Sequence, residues 1–310
     1  MANKGRKIGH GRLDEKITRE MVDDGRHHFG RLVEIRGNVK PLLVSEQQAA
    51  DLAAQMTDPA TVGAEGDSGI PAGYTFFGQF VDHDLTLDET SILGSTADPD
   101  DVVDIRTPRF DLDCVYGLGK QGSPVIYDGD RLRIDHHDGA DDLPRDDADL
   151  ALIGDPRNDE NTAVSQLQLA FLRLHNAVLD RVQSSPELRR GGESDFEAAR
   201  RLTRWLYQWA VVHDFLPRIA GRAVVDDVFR RHGQDPVRTK LFDWRKRIVM
   251  PVEFSVAAYR FGHSMVRASY PLNAANPDVP FFGGANDMQG FRRLPAGHTI
   301  DWGHFFPVDG

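Results

Sequence analysis

An apolar run that ends in a knot of polar groups constrains this chain more than any other feature. Residues 71–81, Pro-Ala-Gly-Tyr-Thr-Phe-Phe-Gly-Gln-Phe-Val, lead straight into Asp82-His83-Asp84. Phe76, Phe77, Phe80 and Val81 fall at helical spacing, and Pro71 suits the start of a helix. The pattern predicts a helix carrying Gln79, Asp82, His83 and Asp84 near its end. Neighbours on a helix point about 100° apart, so these side chains serve different directions. An imidazole, two carboxylates and an amide in six positions cost stability unless a cation or a reaction uses them. A histidine suits proton transfer near neutral pH. The plain alternative is a surface His-Asp cluster.

Composition narrows the class. The 310 residues are 40% hydrophobic and 27% charged, with a mean hydropathy of −0.44. That is a soluble globular balance, and no apolar run approaches the length of a membrane span. Residues 1–8, Met-Ala-Asn-Lys-Gly-Arg-Lys-Ile, contain no apolar core of a signal peptide. The expected location is the cytoplasm, or outside the cell by a non-classical route. A single cysteine, Cys114, excludes an intrachain disulfide framework and a thiolate cluster. The net charge of −11 disfavours nonspecific nucleic-acid binding. The acidic runs Asp98–Asp104 and Asp138–Asp149 are expected to be solvated loops, with part of the acidity available to a hard cation.

Along the chain, residues 1–30 read as a flexible polar arm and residues 31–310 as one mainly α domain with long irregular loops. A short helix is expected around Ala49–Met56. Residues 90–150 lack helical periodicity and read as loop, with short strands near Pro124–Tyr127 and Leu132–Ile134. The clearest helix covers Thr162–Val182, with Val164, Leu167, Phe171, Leu174 and Val178 on one stripe. Ser194-Asp-Phe-Glu197 has the capping-box pattern and opens a helix that Pro217 is expected to end. Trp205 and Trp209 are assigned to its core side. A third helical segment is expected over Glu253–Ala268.

Three further clusters could carry chemistry. In Thr107-Pro-Arg-Phe-Asp-Leu-Asp113, oxygen-bearing side chains at Thr107, Asp111 and Asp113, with the Arg109 carbonyl, could converge on one ion. Hard oxygens in that number suit Ca²⁺, and Asp84 could add another carboxylate. Gly154-Asp-Pro-Arg-Asn-Asp-Glu160 precedes the strongest helix, a rigid platform for Arg157 and Glu160, with Asn161 as a cap. In Arg260-Phe-Gly-His263, a glycine before a histidine permits close approach of something flat, and an axial haem ligand is the functional reading. Taken singly, these patterns also suit a solvated turn, a salt-bridged helix start and a buried core histidine.

The four segments in this order resemble the animal-type haem peroxidases of the peroxidase–cyclooxygenase superfamily, more narrowly its bacterial members. The resemblance spans about residues 70–270 and rests on Gly78–Asp84, Thr107–Gly117, Gly154–Glu160 with Leu174-His175-Asn176, and Arg260–His263. It implies that His83 is the distal acid/base, that Gln79 orders water or halide and that Arg157 is the distal arginine. By the same resemblance His263 is the proximal iron ligand, Arg260 pairs with a haem propionate, and Asp84, Thr107, Arg109, Asp111 and Asp113 bind Ca²⁺. Asp82 and Glu160 match the carboxylates that form ester bonds to haem methyls in several mammalian members. Asn161 stands where one member has its sulfonium-forming methionine, so no such link is expected.

The implied activity is peroxidase chemistry: haem b and Ca²⁺ as cofactors, H₂O₂ as oxidant, and a halide or small organic donor as reductant. The dioxygenase branch carries a tyrosine three residues before the proximal histidine. Here that position is Arg260, and Tyr259 is expected to face elsewhere. Family domains continue well past that histidine and supply an asparagine to it, whereas residues 264–310 are all that follow here. Asn273, Asn276 and Asn286 lie too close in sequence to match it. The resemblance therefore implies a domain shortened at its C-terminus. The alternatives are a non-catalytic haem- or calcium-binding remnant and a fatty-acid dioxygenase. His175 and His213 are expected to be packing residues.

Overall fold

The computed structural model describes residues 29–32, 44–56, 68–88, 102–230, 249–284 and 286–308, and the elements below are those of the described residues. Most of the expected N-terminal arm lies outside them. The helices are α1 (Glu46–Met56), α2 (Gly73–Leu85), α3 (Asp113–Tyr116), α4 (Gly119–Gly122), α5 (Thr162–Ser184), α6 (Asp195–Ala210) and α7 (Arg222–Arg230). The strands are short: β1 (Phe29–Gly30), β2 (Tyr127–Asp128), β3 (Arg131–Leu132), β4 (Asp135–His137), β5 (Ala140–Asp142), β6 (Met250–Pro251), β7 (Ser269–Tyr270) and β8 (Val279–Pro280). They pair only in twos, β1 with β6 in parallel and the other three pairs antiparallel. The fold is mainly α, as the sequence predicts.

Helix α2 is the centre of the molecule. All its residues except Gln79 are buried. Phe80 stacks on Phe171 of α5 with ring centroids 4.6 Å apart and planes 7° from parallel. Tyr207 of α6 meets Phe77, Phe80 and Phe171 edge-on, and Phe215 meets Phe77 the same way. Each such ring contributes about 1.5–3 kcal/mol by leaving water, with more from the edge-on geometry. Glycines set the approach. A Cβ on Gly73 would lie 2.5 Å from the Phe306 ring. The Gly73 amide donates to the Phe305 carbonyl at 2.8 Å, so residues 302–306 close over the start of α2.

Helix α5 begins where the sequence places it, with the Asn161 side chain accepting from the Val164 amide. Its most deeply buried face differs from the predicted stripe. Val164, Gln168, Leu172, His175, Leu179 and Val182 are buried, whereas Phe171, Leu174 and Val178 are half-buried. The apolar count missed this because two polar residues, Gln168 and His175, lie in the core. His175 is the packing residue expected: Tyr116 Oη lies 3.0 Å from its Nδ1, and its Nε2 donates to the Asp130 carbonyl.

The capping box at Ser194 and Glu197 forms as predicted. Pro217 does not end the helix. The chain widens into π-turns at Val211–Phe215 and Pro217–Gly221 and continues as α7. A proline ring clashes with the carbonyl four residues back, and a wider turn relieves that clash. Trp205 and Trp209 are exposed rather than core, at 46% and 62%. Arg190 and Arg201 lie over the Trp205 ring, and His213 is exposed beside Trp209.

Residues 102–160 hold short helices and hairpins, and buried charge organises them. Arg145 is buried, reaches Asp142 at 3.1 Å and grips both oxygens of Asp159 at 2.7 and 2.8 Å. Asp142 and Asp104 are therefore interior residues of runs expected to be solvated. The expected helix over Glu253–Ala268 is a π-turn, Glu253–Ala257, followed by a 3₁₀ stretch, Ala258–Met265. No helix among the described residues is long and apolar enough to cross a membrane.

Candidate active site

His83 sits at the buried end of α2. Its Nδ1 is 2.8 Å from Asn158 Oδ1, and Asn158 Nδ2 donates to Gln168 Oε1 at 2.9 Å. Burial first, and then the neighbouring Arg157 cation, push the imidazole down to about 3, so it is neutral at ordinary pH. Arg157 stands on the 3₁₀ turn Pro156–Asp159, which Asp155 caps through the Arg157 amide. Arg157 Nη2 donates to the His83 carbonyl at 3.0 Å, which ties the arginine to the histidine helix.

Asp155 is the anchor of this corner. It is fully buried and accepts from Arg157 Nε and Nη2 at 3.0 and 2.8 Å and from Arg106 Nε and Nη2 at 3.2 and 2.6 Å. Burial alone would raise its carboxyl, but the Arg157 and Arg106 guanidiniums outweigh that and hold it far below the usual range. Gly154 explains the start of this motif. A Cβ there would fall 2.6 Å from the Cys114 carbonyl and 2.9 Å from the Asp113 carbonyl. Only a glycine lets the Arg157 turn pack on α3.

The remaining polar groups of α2 are held from both sides. Gln79 donates to Glu160 through its side-chain nitrogen and accepts from Asn161 Nδ2 at 3.1 Å. Asp82 Oδ2 accepts from Arg260 Nη1 at 3.1 Å. Burial raises the Asp82 carboxyl despite Arg260. Arg260, expected to face a propionate, thus pairs with Asp82 and also donates to the Ser255 carbonyl at 2.8 Å. Tyr259 packs on α2, its hydroxyl donating to the Gly78 carbonyl at 3.2 Å, in a segment that is 3₁₀ rather than α.

His263 is exposed, and its Nδ1 lies 3.0 Å from the Arg260 carbonyl. A carbonyl only accepts, so Nδ1 carries a hydrogen, and Nε2 is the nitrogen left for a metal. That is how histidines that ligate metals are usually oriented. The partner of His263 Nδ1 is thus a backbone carbonyl rather than an asparagine side chain. Asn273 and Asn276 bind the Gly297 carbonyl instead. Nothing lies within 4 Å of a Cβ built on Gly262, so open space adjoins His263. The chemistry of this donor set fits a haem.

The 107–113 loop packs against α2. Leu112 lies between Asp111 and Asp113 in the left-handed region, φ 61°, at a cost of about 1–2 kcal/mol for a non-glycine residue. That turn brings the Leu112 amide to Asp84 Oδ2 at 3.2 Å. Thr107 Oγ1 donates to Asp111 Oδ2 at 2.6 Å, while the Arg109 side chain is exposed. Asp84 Oδ1 and Asp111 Oδ1 are buried without a partner. Burial, then Asp111 and Asp113, push Asp84 up to about 7, and burial followed by Asp111 pushes Asp113 up to about 6. Among the described residues no three of His, Cys, Asp and Glu converge as a ready-made metal cage. Orphaned oxygens and crowded carboxylates are nevertheless the chemistry a hard cation satisfies.

Comparison with known proteins settles the family. The sequence model of the animal haem peroxidases matches residues 93–280, more than half of the chain. The chain belongs to the animal haem peroxidase family. A peroxidase-like protein of Margaritifera margaritifera is 36% identical over 118 residues, which are 37% of this chain and 14% of that protein. Eosinophil peroxidase of Mus musculus is 28% identical over 141 residues, 42% of this chain and 18% of its own. The matched region thus spans less than a fifth of either relative. Peroxidase A of Dictyostelium discoideum shares the fold, with a TM-score of 0.57 at 16% identity, over 88% of this chain and 62% of its own.

The tertiary structure pairs Gln79 with Glu160 and Asp82 with Arg260, and joins His83 to Arg157. Sequence reasoning missed Asn158, Gln168, Asp155 and Arg106. Asp155 and Asn158 lie inside a motif that was singled out, and could have been found by asking what holds Arg157 and His83. Gln168 and Arg106 carry no local signal.

Proposed function

We propose that this chain uses haem b to reduce H₂O₂ and to oxidise a halide or small organic donor. The observation that carries the reading is the neutral, buried His83 tied through its own carbonyl to Arg157, a cation that Asp155 immobilises. Haem, when bound, supplies the redox chemistry. His83 takes a proton from peroxide at one ring nitrogen and returns it to the departing oxygen. Arg157 offers fixed positive charge where negative charge develops, without reorganising, because Asp155 and the His83 carbonyl hold it. Gln79, held by Glu160 and Asn161, orders water or halide. His263 would hold the haem iron. Arg260 would pair with a haem propionate, and Asp82 and Glu160 are the carboxylates that would be available for ester linkage to the haem. Asp84, Thr107, the Arg109 carbonyl, Asp111 and Asp113 hold Ca²⁺, which fixes the end of α2 that carries His83.

The test is addition of haemin to the purified chain. A Soret band and peroxide-driven oxidation of an aromatic donor or bromide are expected. His83→Ala should keep the band and lower the peroxide rate by about 10²–10⁴-fold, the span of a lost general acid/base. Absence of a band in the wild type, or an unchanged rate in His83→Ala, would sink the proposal.

A further inference from the structure

The polar chain behind His83 has a consequence for which of its ring nitrogens is basic. Asn158 is fully buried, and its side chain meets three groups: His83 Nδ1 at 2.8 Å, Gln168 Oε1 at 2.9 Å, and the Cys114 thiol. Gln168 is itself fully buried on α5. Its oxygen accepts only, so it selects the amide end of Asn158. The opposite end, Oδ1, is thereby turned to the imidazole, and an amide oxygen accepts only. His83 must then donate from Nδ1.

We infer that Asn158, locked by Gln168, is a positioning residue that directs the His83 ring hydrogen to Nδ1 and so leaves Nε2 as the lone-pair nitrogen. The competing arrangement flips both amides together. It would make Asn158 the donor to Nδ1 and put the imidazole hydrogen on Nε2, where no proton could be accepted. The two arrangements have similar heavy-atom positions and opposite chemistry. Gln168 Nε2, buried without a partner, is the tension in the favoured one. The arrangement in the structure has Asn158 Oδ1 at 2.8 Å from His83 Nδ1 and Asn158 Nδ2 at 2.9 Å from Gln168 Oε1. The fixed tautomer is worth having because an imidazole in the wrong one cannot act as base until it exchanges its proton.

The use of this tautomer rests on the proposed peroxide chemistry, but its measurement does not. The protein is labelled with ¹⁵N-histidine, left without haem, and its two-bond ¹H–¹⁵N correlations are recorded, with His83→Gln assigning the signal. The expected wild-type pattern is a pyrrole-type Nδ1 shift and a pyridine-type Nε2 shift. Asn158→Leu removes the acceptor and should draw the two shifts toward a common average, while Asn158→Asp, which keeps an acceptor oxygen, should restore the separation. Gln168→Leu frees the Asn158 amide to turn and should act in the same direction as Asn158→Leu. Finding Nε2–H in the wild type overturns the inference outright, whether or not any variant folds. Unchanged ring shifts in a folded Asn158→Leu overturn it as well. A chain that binds no haem still reports its tautomer, so the two failures are distinguishable.

Discussion

Replacing Asp155 with Asn removes one charge from the interior and leaves the shape intact. In the folded protein that carboxylate accepts from Arg106 and Arg157 at 2.6–3.2 Å, and from the Arg157 amide at 2.9 Å. Arg106 has only 3% of its side chain exposed, and without Asp155 it retains the Gly154 carbonyl at 3.1 Å. The variant also turns an amide donor toward guanidinium donors. Breaking one partner of a buried pair costs about 3–5 kcal/mol, because the other charge stays buried and uncompensated. At roughly 3 kcal/mol per M of urea, the unfolding midpoint should fall by about 1–1.7 M. Asp149→Asn is the control. Its partner Arg293 is exposed, and the loss should stay within about 1 kcal/mol. The pH dependence carries the same sign. The Asp155 carboxyl is depressed in the folded state, so its stabilisation is present above the ordinary carboxyl value of about 3.9 and is lost as pH falls below it. Wild type should therefore lose stability below about pH 4 more steeply than Asp155→Asn. A variant within about 1 kcal/mol of wild type at pH 7 would refute the reasoning, since Asp155 would then not be compensating buried cations.

Other outcomes are expected. Burial pushes Asp104 up to about 7, despite hydrogen bonds from the Leu87 and Arg106 amides. A raised carboxyl stabilises the fold below about pH 4 and loses that contribution as pH climbs to 7. Asp104→Asn should flatten that decline in a urea series from pH 4 to 8, and an unchanged slope would contradict it. Millimolar CaCl₂ should raise the melting temperature of the wild type. Asp84→Asn should melt higher than the wild type in chelator, because it relieves repulsion from Asp111 and Asp113, and should lose the calcium response. An equal calcium shift in both proteins would remove Asp84 from the site.

Local pattern was enough for the parts of this protein that depend on near neighbours. The α2 helix, the Asn161 cap and the Ser194–Glu197 capping box follow from side chains within four residues of each other. The order of polar motifs was also legible, because each is a short run whose chemistry is unusual for a plain core. Burial was not. Asp104 and Asp142 read as solvated acids, and their interior positions depend on backbone amides and on Arg145 reaching them. Trp205 and Trp209 read as core, yet sit on the outward face of α6, where Arg190 and Arg201 cover one of them. Pro217 read as a stop, but the packing of Phe215 on Phe77 favours continuing the helix through a wider turn.

By itself, then, the sequence determined the elements and the inventory of the site: a histidine, an arginine, an amide and carboxylates carried on helices and tight turns. Only the tertiary structure decided their states. Whether His83 is neutral, which oxygen faces its Nδ1 and why Asp84 is crowded all depend on groups 20 to 80 positions away, and Arg157 is tied to the histidine helix across 74 positions. Hydrogen bonds and desolvation act over a few ångströms of space, and distance along the chain says nothing about them until the fold closes.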